Sequence, residues 1–193
     1  ADENFNTFSL SWYNNTDVDP ATGLTPYINM QKVLKVCHDF VDNFDNTFSN
    51  LLFIGQTGVG KTFLSNCIAR ALMDSCRSII YLTAGEFFDS FKSDDFKEFG
   101  SSKFDTSFFV ECDLLIIDDL GTEKASDYNF SNLFNTINER LLRRKSIIIS
   151  SNLEMPDIET RYSQRIFSRL VSAYSILRLF GDDIRCMKKL SPT

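Results

Sequence analysis

The chain has 193 residues but one histidine, one tryptophan and five cysteines, no two of the cysteines forming a C-x-x-C pair. That spacing excludes the usual zinc knuckle and the dithiol redox motif. His38 has no second ligand or triad partner near it in sequence, so a surface or capping role is expected. Cys67 and Cys112 fall inside apolar periodic segments. All five cysteines read as small thiols in a reducing cytoplasm. No run approaches the roughly 20 apolar residues that cross a bilayer, so no membrane contact is expected. No signal-peptide pattern opens the sequence. The first residue is Ala1, not Met, the start expected of a piece of a longer or processed protein.

What is present suits one globular domain. The composition is 43% hydrophobic and 24% charged, ordinary for a chain that buries a full core. The net charge of −6 is unevenly spread. Residues 1–139 carry 9 Lys/Arg against 21 Asp/Glu, and residues 140–193 carry 11 against 5. A basic C-terminal quarter suits phosphates, nucleic acid or an acidic neighbour, or simply a solvated helix face.

Residues 1–28 are polar and broken by Asn14, Asn15, Pro20, Gly23 and Pro26, which predicts an irregular lead-in. From about Asn29, a reasonable N-cap, Met30, Val33, Cys37, Val41 and Phe44 recur at helical spacing. Continuous apolar runs at Leu51–Ile54, Ser78–Leu82, Leu114–Ile117 and Ser146–Ser150 read as buried strands. Amphipathic helices follow the first three: Leu64 to Leu72, Ala84 to Phe91, and a long one from about Asp127. A helix over Gln164–Ala173 and a strand-like Ser175–Phe180 close the pattern. Strands alternating with helices predict an α/β fold in three layers, a parallel sheet flanked by helices.

Gly55-Gln56-Thr57-Gly58-Val59-Gly60-Lys61-Thr62 fits G-x-x-x-x-G-K-[ST] without a mismatch, between a buried strand and an amphipathic helix. The chemistry needs these residue types. Glycines let the backbone curl so that successive N–H groups face a phosphate, and the helix N-terminus adds favourable partial charge. Lys61 reaches the β- and γ-phosphates, and Thr62 offers a hydroxyl to Mg²⁺. The expected ligands are ATP or ADP with Mg²⁺.

Asp118 stands 57 residues after Lys61, at the end of the third strand. It is the expected Mg²⁺ partner, partly through water. Asp119 follows as general base for the attacking water, or as a loop cap. Glu123 is a weaker alternative base. Asn152 closes the fourth strand, where an amide can contact the γ-phosphate or the water, or serve as a turn residue. Arg165 and Arg169 share one helix face at i and i+4. Either suits transition-state charge on a neighbouring subunit's phosphates, or a surface ion pair. Arg185 is placed to reach the phosphates of its own subunit.

These motifs, in this order, resemble the AAA+ ATPase domain of bacterial replicative helicase loaders, the DnaC/DnaI group. The resemblance rests on Asn50–Phe53 running into the loop, Leu114–Glu123, Ser150–Leu153, Arg161–Leu170 and Phe180–Arg185. It spans about Asn4 to Arg185. It implies Walker A at Gly55–Thr62, Walker B at Asp118-Asp119, sensor I at Asn152 and sensor II at Arg185. It also implies an arginine finger at Arg169, with Arg165 second, acting after self-association. Residues 29–193 would be the AAA+ domain, with a short or minimal lid and without the family's N-terminal helicase-binding domain. The implied function is a slow ATPase that delivers the replicative helicase to single-stranded DNA. A transposition helper ATPase of the same fold and a nucleotide-gated binding module with negligible turnover stay open.

Two segments are candidates for single-stranded DNA. Residues 86–109 hold Phe87, Phe88, Phe91, Phe96, Phe99, Phe104, Phe108 and Phe109, yet their acids outnumber their lysines; most of these rings are expected in the core. Arg140, Arg143, Arg144 and Lys145 form the second candidate.

Overall fold

The computed structural model describes residues 3–92 and 106–190. Its centre is a five-stranded parallel sheet in the order β2-β3-β4-β1-β5. The strands are β1 (Leu51–Ile54), β2 (Ile79–Thr83), β3 (Leu114–Leu120), β4 (Ser146–Ser151) and β5 (Ser175–Arg178). The helices are α1 (Pro26–Asp42), α2 (Lys61–Asp74), α3 (Ala84–Lys92), α4 (Phe108–Glu111), α5 (Asp127–Leu142), α6 (Met155–Arg161), α7 (Gln164–Ala173) and α8 (Ile184–Leu190). None of the described helices is long and apolar enough to cross a membrane.

The strand period of two sorts the core into layers. Leu52, Ile54, Leu115, Ile117, Ile147 and Ile149 face one side, packed with residues of α3, α5 and α7. Leu51, Phe53, Leu114, Ile116 and Ile148 face the other, against α1 and α2. A sheet covered on both faces needs continuous apolar runs in its central strands, which is why β1, β3 and β4 read so clearly. The expected three-layer fold is present, with β4 inserted between β1 and β3.

Two features differ from the sequence expectations, the start of α1 and the lead-in. Helix α1 starts at Pro26, not Asn29: the Thr25 hydroxyl accepts from the Ile28 N–H and Pro26 sits in the first turn, where its fixed φ suits a helix start. Asn29 is already helical, and its amide donates to the Arg178 carbonyl at 2.8 Å, tying α1 to β5. The lead-in contains a 3₁₀ turn, Leu10–Trp12, and packs Phe5, Phe8, Leu10, Trp12 and Tyr13 onto the α1/α2 side of the core. His38 is exposed, as expected of a surface residue, and lies against Phe5 with ring centroids 4.2 Å apart.

Among the described residues, the second candidate DNA segment loses one of its four cations to the core and the other three to neighbouring partners. Arg140 is fully buried. Its guanidinium donates to the carbonyls of Phe109, Cys112, Asp113 and Ser146, bracing the α4–β3 turn against β4. Arg143 pairs with Glu139 and Lys145 with Asp113, while Arg144 lies over the Phe48 ring. Phe87, Phe88 and Phe109 are buried with Phe91 packed against them; Phe108 is exposed. Phe96, Phe99 and Phe104 lie outside the described residues.

Candidate functional site

The loop from Gly55 to Thr62 links β1 to α2 at the C-terminal edge of the sheet, where open parallel sheets bind ligands. Its shape depends on glycine at three places. Gly55 has φ +140, and a Cβ there would stand 2.0 Å from the Leu179 carbonyl oxygen. Gly58 has φ +83, and a Cβ there would stand 2.1 Å from Asp183 Oδ1; Gly60 has φ +104, and a Cβ there would stand 2.6 Å from the Tyr13 hydroxyl. The loop is therefore clasped from two sides. Tyr13 donates to the Val59 carbonyl at 3.1 Å. The Ile184 N–H donates to the Gly58 carbonyl, and Asp183 caps α8 by accepting from the Arg185 and Cys186 N–H groups.

Lys61 is 4% exposed. Its ammonium donates to the Gly55 carbonyl at 2.6 Å, the Gln56 carbonyl at 2.7 Å and Asn152 Oδ1 at 2.6 Å. Burial lowers its pKa; the charges of Asp119 and Asp118 act against that, and Arg185 adds to it. Thr57, Gly58, Gly60, Lys61 and Thr62 line one cleft, and Val59 is packed into the core.

Behind Thr62 stands Asp118. Its Oδ2 accepts from the Thr62 hydroxyl and the Tyr81 hydroxyl, each at 2.9 Å. Its Oδ1 accepts from the Ser150 hydroxyl. Burial, with the Asp118 charge beside it, pushes the Tyr81 pKa up, so the phenol stays a donor. Asp119 follows in a β-bulge, where pairing with β4 slips between Ile117 and Leu120. Its φ of +57 is left-handed, a conformation Asp tolerates better than most residues. Bulges re-aim side chains, and this one turns Asp119 into the cleft. The Asp119 N–H donates to Ser150 Oγ at 2.9 Å, and its carboxylate receives the Asn152 amide at 3.4 Å.

The cleft, of about 330 Å³, brings together Thr57, Gly58, Gly60, Lys61, Thr62, Asp119, Asn152 and Arg185. It does not include Arg165 or Arg169. Those two line a separate hollow with Phe134, Gln164 and Ser168, where Arg169 donates to Asn138 Oδ1 at 3.2 Å. Glu123 does not line the cleft: its carboxylate is 3% exposed and paired with Arg161. It also takes the Tyr162 hydroxyl at 2.6 Å and the Gly121 N–H at 2.8 Å.

Sequence reasoning missed the apolar end of the cleft. Phe8, Trp12, Tyr13 and Phe63 line it with Lys188, whose ammonium lies 5.6 Å from the Trp12 ring and 6.0 Å from Phe63. The one available signal was an isolated Trp-Tyr pair in an otherwise polar lead-in. Tyr81 gave no signal at all, since an aromatic in a strand is ordinary. Chemically, the cleft offers a backbone cradle and a lysine for phosphates, the Asp119 carboxylate with Asp118 behind Thr62, and an aromatic pocket for a flat ring.

Comparison with known proteins bears on the fold and the family. The replicative helicase loader DnaC of Escherichia coli K12 is 23% identical over 151 residues, 78% of this chain and 61% of that protein. The phage-like element PBSX protein XkdC of Bacillus subtilis is 32% identical over 111 residues, 54% of this chain and 40% of that protein. The chain thus spans about three-fifths of the length of the first of these. Among solved structures, the DnaC helicase loader superposes with a TM-score of 0.71 at 22% identity, covering 93% of this chain and all of that one. AMPPCP-bound DnaA from Aquifex aeolicus gives 0.70 at 20% identity, covering 83% of this chain and 50% of that one. The fold is the AAA+ type of P-loop NTPase. A family model described as IstB-like ATP binding protein matches residues 28–191, and with that match over most of its length the chain belongs to the IstB-like ATP-binding family.

Proposed function

We propose that this chain is the ATPase domain of a helicase loader, which uses ATP to control its assembly and delivers the replicative helicase to single-stranded DNA in the cytoplasm. Family membership and the likeness to DnaC support the role. The observation that carries the chemistry is the single cleft holding Lys61, Thr62, Asp119, Asn152 and Arg185. The adenine ring fits against Trp12 and Phe63, and the triphosphate runs along the loop toward Asp119.

The residues fit Mg²⁺ in the manner of a nucleotide-borne ion. Thr62 and Asp118 present hard oxygens 2.9 Å apart, and among the described residues no group of three or more His, Cys, Asp or Glu could hold a metal alone. Mg²⁺ favours one or two protein oxygens together with phosphates and water. When bound it would neutralise phosphate charge. Thr62 would hold it directly and Asp118 through water.

In hydrolysis Asp119 accepts a proton from water as the water oxygen bonds to the γ-phosphorus. The bridging oxygen leaves with the electron pair of its bond to phosphorus, giving ADP and inorganic phosphate. Asn152 orients Asp119, and Lys61 and Arg185 stabilise charge on the phosphate oxygens. Arg169, with Arg165 beside it, lies off the cleft of its own chain. That position suits an arginine finger completing the site of a neighbouring copy.

The test is phosphate release against protein concentration. Turnover per chain should rise with concentration. Asp119→Asn, which keeps a residue at ease with positive φ, should lose at least about tenfold in turnover while still binding nucleotide. Arg169→Ala should be inactive alone and regain turnover when mixed with Asp119→Asn. Full activity of Arg169→Ala at high concentration would rule the finger out; full activity of Asp119→Asn would rule out the base.

A further inference from the structure

The Asp118 carboxylate is held by three hydroxyls from three different elements. Thr62 comes from the start of α2 and Ser150 from β4. The third, Tyr81, comes from β2, the edge strand beside β3. Its Cα partner across the ladder is Ile116, two residues before Asp118 on the same face of the sheet. The length of the phenol spans that offset, which a serine or threonine at position 81 would not; Thr83, the register partner of Asp118, spends its hydroxyl on Glu86. The ring is packed with the α1/α2 side of the core, so its hydroxyl is delivered by a rigid body with few rotamers.

We infer that Tyr81 is a positioning residue for the metal-side carboxylate, fixing Asp118 so that it meets a nucleotide-bound Mg²⁺ through water and not directly. The reasoning is a count of lone pairs. A carboxylate oxygen has two, and on Asp118 Oδ2 both are engaged, by Thr62 and by Tyr81. Ser150 occupies one of the pair on Oδ1. A carboxylate so occupied accepts from metal-bound water but has little left to displace that water. Mg²⁺ gives up its water reluctantly, so this arrangement matches the ion. Removing the phenol hydroxyl frees a lone pair on Oδ2 and leaves the carboxylate held on one oxygen by a threonine alone. Groups that orient a ligand in this way are typically worth about 10- to 100-fold in metal affinity.

The inference rests on reading Asp118 as the Mg²⁺-side carboxylate, and the experiment separates the two. Binding of a fluorescent, non-hydrolysable ATP analogue to the full chain is titrated with Mg²⁺, and repeated in EDTA. The variants are Tyr81→Phe, which keeps the ring and its packing, and Asp118→Asn. Tyr81→Phe should raise the half-saturating Mg²⁺ concentration by about tenfold and leave affinity in EDTA and the thermal midpoint unchanged, a split that a merely structural role would not give. Asp118→Asn should raise it at least as far. If Asp118→Asn shifts the Mg²⁺ dependence and Tyr81→Phe does not, the role of Tyr81 is overturned. If neither shifts it, the reading of Asp118 fails and takes that of Tyr81 with it.

Discussion

Asn152 holds Lys61 and Asp119 with the two ends of one amide. Its Oδ1 accepts from the Lys61 ammonium at 2.6 Å, across 91 residues of sequence, and its Nδ2 donates to Asp119 at 3.4 Å. The residue expected to sense the γ-phosphate therefore links the phosphate lysine to the candidate base.

Asn152→Ala removes both contacts but leaves Lys61 its two carbonyl partners, so the lysine stays in place. Nucleotide affinity should stay within about threefold, while turnover falls by about 100-fold, the loss typical of one donor aimed at the reacting centre. Equilibrium binding and phosphate release on the same preparation give both numbers. Unchanged turnover would remove Asn152 from the chemistry.

Trp12 is the only tryptophan in the chain, and it lines the cleft. Adding ATP or ADP should change its emission, saturably and with the affinity found by calorimetry. Trp12→Ala should weaken nucleotide binding by about 1–3 kcal/mol, the worth of stacking a base on an aromatic ring. Trp12→Phe should abolish the signal and keep most of the affinity. An emission indifferent to saturating nucleotide would place the base elsewhere.

Arg140 belongs to the core, so its removal should cost stability and not DNA affinity. Arg140→Leu would take the guanidinium donor from the carbonyls of Phe109, Cys112, Asp113 and Ser146, three of these bonds buried and one part-buried, and a buried carbonyl that loses its donor is expensive. Urea denaturation should show a loss of about 3–5 kcal/mol, at the top of the range for single substitutions. Single-stranded DNA binding by the folded fraction should match the parent. A stable variant that had lost DNA binding would reverse the assignment.

Asp113 accepts from Lys145 at 2.9 Å and from Ser78 Oγ at 2.8 Å, and the hydrogen bond from Lys145, the largest cause, holds its pKa down to about 2. A depressed carboxylate contributes stability that is fully present above its unfolded value, near 4, and is lost as pH falls toward 2. The pair is partly exposed, so after solvent screening it is worth about 1 kcal/mol. Asp113→Asn should flatten the fall in thermal midpoint between pH 4 and pH 2 relative to the parent. Parallel curves over that interval would show that the pair contributes nothing.

The features legible in the sequence were those carried by local pattern. Apolar runs marked β1, β3 and β4 because strands buried on both faces have no polar side to disguise them. The glycines, Lys61 and Thr62 were legible because a phosphate cradle constrains consecutive residues. Asp118, Asp119 and Asn152 were legible because each comes just after an apolar run that reads as a strand, although β3 itself continues through both aspartates to Leu120. The start of α1 was misread because Met30, Val33 and Cys37 advertise the helix more strongly than Thr25-Pro26 does.

By itself, then, the sequence determined the layered parallel sheet, the phosphate loop and the chain positions of the acidic and amide residues beside it. Only the tertiary structure decided what else reaches the site: Trp12 and Tyr13 from the lead-in and Asp183 from the turn into α8 against the loop, and Tyr81 from β2 onto Asp118. It also decided that Arg140 is a core brace and that Glu123 is locked to Arg161 and Tyr162. These are contacts between residues far apart in the chain. They are set by strand order and helix packing, for which no local periodicity exists.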